Sequence, residues 1–255
     1  MVQRTIYPKL FRILTIMLEI RNVNQSIGGR KILNDVSLTV NEGNITCLIG
    51  PSGGGKSMLL RAIALIDQPT SGSVRVDDDT YQFPTTVLRA PPWPKVSIVF
   101  QNLFLWPHKT LLENILLPHK RLNAEQRAYC DKLIDLLDMK EFINRYPNQT
   151  SSGQRQRVAL ARTLLLRPRY LLLDEVSSAL DVEQIAKLLV HLKELRRQGT
   201  GILLVTHQIH FASQAADHVY FLDHGQVLES GGKAILSRPK NPRLKLFLSQ
   251  VRSVS

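Results

Sequence analysis

The sequence predicts an α/β fold with a mostly parallel sheet and an antiparallel β subdomain ahead of it. Three observations carry the prediction. Short apolar runs bounded by turn residues recur at 45–49, 96–100, 170–173, 202–205 and 219–222. They hardly alternate, as expected of parallel strands buried on both faces. Helical stretches separate them. By contrast, residues 18–23 and 36–40 alternate apolar with polar, the mark of antiparallel strands with one wet face.

In chain order, the two alternating strands flank a turn at Gly28-Gly29. The apolar run 45–49 leads through glycines into Met58-Leu59-Leu60-Arg61-Ala62-Ile63-Ala64-Leu65, a good helix former. Val74-Arg75-Val76 followed by Asp77-Asp78-Asp79 is a further strand and turn. In 123–139, Leu133, Ile134, Leu136, Leu137 and Met139 continue a pattern begun by Ala124 and Ala128. Asn123 is the expected N-cap, with Gln126 three residues on. Helices are also expected over 158–166, stopped at Arg167-Pro168, and over 185–197, ending near Gly199. No internal repeat or low-complexity segment is visible.

A chain of 255 residues can bury one large α/β core, or a core with a small inserted subdomain. The two cysteines, Cys47 in a strand and Cys130 on a helix, lack metal-ligand spacing and imply a reduced compartment. The formal net charge of +12 is high, yet no run of five or six like charges forms a basic arm. A diffuse solvated surface, an anionic membrane or nucleic acid would each account for it. A few basic side chains at roughly 1 kcal/mol each would hold a protein at an anionic leaflet. No segment approaches the roughly 20 apolar residues of a membrane span; residues 10–20 are interrupted by Arg12 and Glu19. They lack a small-residue cleavage site, so no secretory signal is expected.

Chemistry concentrates first in Gly50-Pro51-Ser52-Gly53-Gly54-Gly55-Lys56-Ser57, which fits G-x-x-x-x-G-K-[ST] at every required position. Strand, glycine loop and helix together make a phosphate cradle: backbone amides approach the β- and γ-phosphates, and the helix N-terminus adds positive potential. Lys56 would reach the terminal phosphates and the Ser57 hydroxyl would ligate Mg²⁺. An ordinary glycine turn is the plain alternative, and Lys56-Ser57 with the correct flanks argues against it. The chain is therefore expected to bind a nucleoside triphosphate.

A second site is Leu171-Leu172-Leu173-Asp174-Glu175, where an apolar strand delivers two adjacent carboxylates. Asp174 would hold Mg²⁺, directly or through water, and Glu175 would polarise the attacking water as general base. Alone, such a pair is as readily a helix cap; beside a phosphate loop it completes the chemistry. Ile202-Leu203-Leu204-Val205-Thr206-His207 presents a histidine at another strand end, where a structural histidine is the commoner case. Val99-Phe100-Gln101 offers a neutral side chain able to bridge metal and water.

This arrangement resembles the ATP-binding subunit of ABC transporters from about Leu18 to Val251. The resemblance adds Thr150-Ser151-Ser152-Gly153-Gln154-Arg155-Gln156-Arg157, Ser178-Ala179-Leu180-Asp181 and His207 to the loop, Gln101 and Asp174-Glu175. It implies a P-loop NTPase (RecA-like) core with an inserted α-helical subdomain at about 102–155, gripping a cytoplasmic helix of an integral membrane permease. It also implies a homodimer, or a close heterodimer, with two ATP sandwiched head to tail. The signature residues Ser151, Ser152, Gly153 and Gln154 would close over the γ-phosphate held by the partner, and Ser178, Ala179, Leu180 and Asp181 would form the dimer loop. Catalytic roles fall to Glu175, His207 (on the γ-phosphate), Gln101 and Lys56; Ser57, Gln101 and Asp174 would hold the metal. Gly50 through Met58, with Ile27 at the adenine, would bind nucleotide. The expected cofactors are ATP and Mg²⁺.

Finer similarity points to polar amino-acid importers: Leu103-Phe104-Leu105-Trp106-Pro107-His108, Thr206-His207-Gln208-Ile209-His210-Phe211-Ala212 and Asn241-Pro242-Arg243-Leu244. By that resemblance the chain is an ATPase that energises import of a polar amino acid. It would be peripheral at the cytoplasmic face of a bacterial inner membrane, would work indirectly with an extracytoplasmic solute-binding protein, and would need no nucleic acid. Alternatives are a degenerate regulatory subunit with weak turnover and a soluble non-transport ABC protein.

The chain departs from the family at several positions. Ser152 replaces a glycine of the usual Leu-Ser-Gly-Gly-Gln, at a cost of about 1 kcal/mol or more if that position needs positive φ. Ile27 stands for an adenine-stacking aromatic, Met58 for a common threonine and Val176 for a common proline. Residues 1–16 have no family counterpart. Met17 is the expected translation start, with an extension from Met1, disordered or touching the membrane, as the alternative.

Overall fold

Most side chains of the central strands enter one of two apolar cores, and this is why those strands are largely apolar. The computed structural model describes residues 17–85, 90–177 and 180–254. The first strands are β1 (Met17–Ile27), β2 (Arg30–Asn41) and β3 (Ile45–Ile49), followed by α1 (Lys56–Ile63). Next come β4 (Ser71–Val76), β5 (Asp79–Phe83), β6 (Val96–Val99), α2 (Leu111–Leu116), α3 (Ala124–Leu136) and α4 (Ser152–Leu164). The chain closes with β7 (Tyr170–Asp174), α5 (Val182–Arg197), β8 (Gly201–Val205), α6 (Ile209–Ala215), β9 (His218–Asp223), β10 (Gln226–Gly232) and α7 (Pro242–Val254).

The six-stranded sheet has the order β10-β9-β3-β8-β7-β6, parallel except for the edge pair β10–β9. The four-stranded sheet β2-β1-β4-β5 is antiparallel, as the alternation predicts. Successive side chains of a strand face opposite ways. Ile45, Cys47, Leu171, Leu173, Ile202 and Leu204 accordingly enter the core shared with α4 to α7. Leu48, Leu172, Leu203 and Val205 face α1 and the small sheet.

Polar groups tie the sheets together. The buried Tyr170 hydroxyl donates to Asp77 at 2.6 Å, and Arg169 pairs with the same carboxylate at 3.1 Å. Asp77 follows β4, so the base of the parallel sheet and the antiparallel subdomain share one buried acceptor.

Asn123 and Gln126 form the expected capping box of α3. Two helices begin earlier than their apolar periodicity suggests. Ser151 and Gln154 form a reciprocal capping box that starts α4 at Ser152, six residues before 158. The Asp181 side chain caps α5 from Gln184 N–H, so that helix starts at Val182 rather than 185. Among the described residues no helix is long and apolar enough to cross a membrane. The expectations for Met1 and residues 1–16, and for Ser178 and Ala179, lie outside the described residues.

Candidate functional site

Four parallel strands end at one edge of the sheet, the usual place for a ligand crevice in such folds. The glycine loop follows β3, Gln101 follows β6, Asp174-Glu175 close β7, and Thr206-His207 follow β8.

The loop needs its glycines for space as well as conformation. A Cβ at Gly50 (φ +153°) would lie 2.0 Å from the Leu222 carbonyl oxygen. Gly55 (φ +101°) is the N-cap of α1 in the left-handed region and lies over Ile32 and Leu33 of β2. Buried Lys56 donates from Nζ to the carbonyls of Gly50 and Pro51, at 2.9 and 2.8 Å. Burial lowers its pKa, opposed by the carboxylates of Glu175, Asp174 and Asp223. Ser52 and Gly53 are exposed on the outer rim.

The carboxylates have unlike surroundings. Asp174 is 3% exposed; burial pushes its pKa up, while a hydrogen bond from Ser57 and the charge of Lys56 pull it down. Its Oδ1 is buried without a hydrogen-bond partner. A Ser hydroxyl beside an unsatisfied carboxylate oxygen suits a hard cation that takes oxygen ligands. Among the described residues no three His, Cys, Asp or Glu are grouped so that they could hold a metal ion by themselves. The donor set is therefore serine and aspartate, with phosphate and water to complete it, which fits Mg²⁺ better than a softer ion.

Glu175 adopts φ +51°, a left-handed conformation that costs a non-glycine residue on the order of 1 kcal/mol or more and clusters at functional sites. Its N–H donates to the Val205 carbonyl at 3.0 Å, locking β7 to β8 at that point. His207 Nδ1 lies 3.5 Å from Glu175 Oε1. Thr206 Oγ1 accepts the Gln208 N–H at 3.0 Å and lies 3.5 Å from the Ser177 hydroxyl. The histidine turn is thus pinned from both sides.

Gln101 is exposed and shares a cleft of about 450 Å³ with Glu175, Ser152, Arg155 and Gln156. The segment after it is fixed by two polar anchors, one buried and one half-buried. Fully buried Asn114 donates to the carbonyls of Trp106, Lys109 and Thr110 and accepts the Trp106 N–H. Arg162 donates to the carbonyls of Leu103 and Phe104. Phe104 and Trp106 are left projecting into solvent.

Other expected site residues have plainer local roles. Ser152 is exposed in the first helical position of α4 and is not among the positive-φ residues, so the feared strain does not arise. Ser151 and Gln154 cap that helix, and Gly153 is buried within it. Leu180 packs on the main core and Asp181 caps α5. Met58 packs its side chain on the core beneath the small sheet. Ile27, half exposed, ends β1 opposite Arg30.

The sequence reading missed Asp223 and Arg243. Asp223 is 2% exposed in the turn behind the phosphate loop and pairs with Arg243 of α7 at 2.5 Å. Asp223-His224-Gly225 follows the apolar run 219–222, but nothing local ties it to residues 50–55.

The family model for the ABC transporter matches residues 33–178. The chain is 38% identical over 241 residues to the arginine transport ATP-binding protein ArtM of Bacillus subtilis, covering 92% of this chain and all of that protein. It is 35% identical over 240 residues to the glutamine transport ATP-binding protein GlnQ of Escherichia coli, with the same coverage. Among solved structures, the dimeric form of a bacterial ABC transporter cassette aligns with a TM-score of 0.76 and 31% identity, over 85% of this chain and 98% of that one. A post-hydrolysis dimer bound to ADP and phosphate aligns with a TM-score of 0.75 and 30% identity over the same shares.

Proposed function

This chain belongs to the ABC transporter family, and from that premise we propose that it is the subunit that energises import of a polar amino acid through a membrane permease. It is an ATPase. The reading rests on one observation above the rest: Lys56, the Ser57–Asp174 pair, Glu175 and His207 converge at a single sheet edge.

The residues divide the reaction among them. The loop amides and Lys56 bind the phosphates and stabilise charge as the γ-phosphoryl group departs. Ser57 and Asp174 would hold Mg²⁺, which neutralises phosphate charge when bound, and Gln101, just after β6, would be a further ligand. Glu175 accepts a hydrogen bond from water and takes its proton as the water oxygen forms a bond to phosphorus and the bond to ADP breaks. His207, 3.5 Å from Glu175, would contact the γ-phosphate and orient that water.

The solved cassette dimers support a homodimer; in it Ser151, Ser152, Gly153 and Gln154 would face the partner's ATP. Leu180 and Asp181, with Ser178 and Ala179, would line the same seam. Exposed Phe104 and Trp106 support permease docking at a helical subdomain of about 102–155; docked there, the chain would be peripheral at the cytoplasmic face of a bacterial inner membrane. A solute-binding protein would deliver the amino acid on the opposite side. Ile27 would flank the adenine, because its hairpin partner strand runs under Gly55.

The test is reconstitution of the full chain with its permease in vesicles, measuring phosphate release and uptake of labelled arginine, glutamine and cystine. ATP-dependent uptake of at least one is expected. Phosphate release without uptake of any polar amino acid would refute the import assignment, and no phosphate release would refute the site.

A further inference from the structure

We propose that Arg243, at the start of the C-terminal helix, is a positioning residue of the nucleotide site, holding and neutralising the buried Asp223 carboxylate whose turn backs the phosphate loop. This rests on the reading that the loop binds a triphosphate.

The turn formed by Asp223, His224 and Gly225 is wedged between the loop and β2. Gly225 N–H donates to the Gly54 carbonyl at 3.1 Å, and Asn34 N–H donates to the Gly225 carbonyl at 2.8 Å. A Cβ on Gly54 would lie 3.3 Å from the Leu222 carbonyl oxygen, and one on Gly50 only 2.0 Å from it. Loop and turn therefore meet backbone to backbone, with no side chain to absorb a displacement. Whatever moves the turn moves the amides that face the phosphates.

Asp223 Oδ1 accepts the His224 N–H at 2.9 Å, which leaves Oδ2 to Arg243 Nε at 2.5 Å. The His224 ring projects into solvent, its Nε2 3.8 Å from Oδ2. Arg243 is itself set in place independently. The Glu229 carboxylate accepts the N–H groups of Lys240 and Asn241, at 3.0 and 2.8 Å, and Asn241 Oδ1 accepts the Arg243 N–H at 2.8 Å. Leu244, Phe247 and Leu248 then bury the helix against the main core, with the Phe247 ring 5.4 Å from that of Phe221.

The Asp223 charge is felt at Lys56. Removing one partner of a buried ion pair leaves the other uncompensated. An unpaired Asp223 would repel the triphosphate and compete for the Lys56 ammonium. Arg243 cancels that field from the side away from the ligand, so the C-terminal helix sets nucleotide affinity without touching nucleotide.

The experiment measures steady-state ATP hydrolysis by the purified full chain, its Arg243→Gln variant and the double variant Asp223→Asn/Arg243→Gln, with melting curves to verify folding. A unit charge acting through partly buried surroundings predicts that Arg243→Gln raises the KM for ATP by about tenfold with kcat changed little. The double variant, which removes the unpaired charge but restores no packing, is expected to return KM most of the way to the parent value. An unchanged KM in Arg243→Gln, or a double variant as weak as the single, overturns the proposal. If Arg243→Gln does not fold, Arg243→Lys keeps the charge and loses the Nε contact. A KM near the parent's then supports the electrostatic role, and a KM as high as about tenfold above it refutes that role. A parent chain that fails to bind ATP would sink the site and this inference together; a parent that binds it isolates the inference.

Discussion

At the scale of single residues, Glu175 carries the sharpest expectation. It is held at φ +51° beside His207 at the end of β7, where its carboxylate can take a proton from water. Glu175→Gln preserves shape and removes the base, so turnover should fall by about 10²–10⁴-fold. ATP-driven pairing of two chains, followed by size-exclusion chromatography, should survive. Turnover within about tenfold of the parent would take the base role away from Glu175. Ile27 is testable in the opposite sense. Its exposed side chain offers the adenine no aromatic face, and Ile27→Tyr should tighten ATP binding by about 1–3 kcal/mol, the worth of base stacking on an aromatic ring. An unchanged dissociation constant would mean that the base sits elsewhere.

At the scale of elements, α4 matters most, because its first turn carries the proposed signature segment. The Ser151 hydroxyl accepts the Gln154 N–H at 3.2 Å, and Gln154 Oε1 accepts the Ser151 N–H at 3.0 Å. Ser151→Ala removes one arm of this box and should lower stability by about 1 kcal/mol, measured by urea denaturation. If the first turn of α4 must be ordered to close over a partner's ATP, the same variant should also lower kcat. A loss of stability with full turnover would confine Ser151 to capping.

At the scale of the whole molecule, the joint between the two sheets is the feature most exposed to a single change. Tyr170, Arg169 and Asp77 meet where the parallel sheet touches the antiparallel subdomain. Burial, and then the hydrogen bond to Asp77, push the Tyr170 hydroxyl far above its ordinary pKa, so it remains a donor across the working range. Tyr170→Phe leaves the carboxylate short of a partner and should destabilise the fold by about 1–3 kcal/mol. The nucleotide site lies at the opposite strand ends, so turnover per folded chain should persist. A melting temperature equal to the parent's would show that water replaces the hydroxyl at no loss.

Much of this molecule was legible along the chain. The glycine loop, Asp174-Glu175, His207 and Gln101 each sit at a strand end, and an unalternating strand between turn signals marks its own end. The capping boxes of α3 and α4 are equally local, though the second lies ahead of the apolar periodicity, which becomes clear only at Val158. What the chain could not express was adjacency between distant segments. That Leu222 lies under Gly50, that Arg243 reaches Asp223, and that Asp77 accepts from Tyr170 depend on strand order. The sequence alone determined which residues are candidates for the chemistry, because catalysis constrains residue type within a few positions. Only the tertiary structure decided what holds those residues in place, because a buried charge or a backbone contact takes its partner from whichever strand the sheet brings alongside.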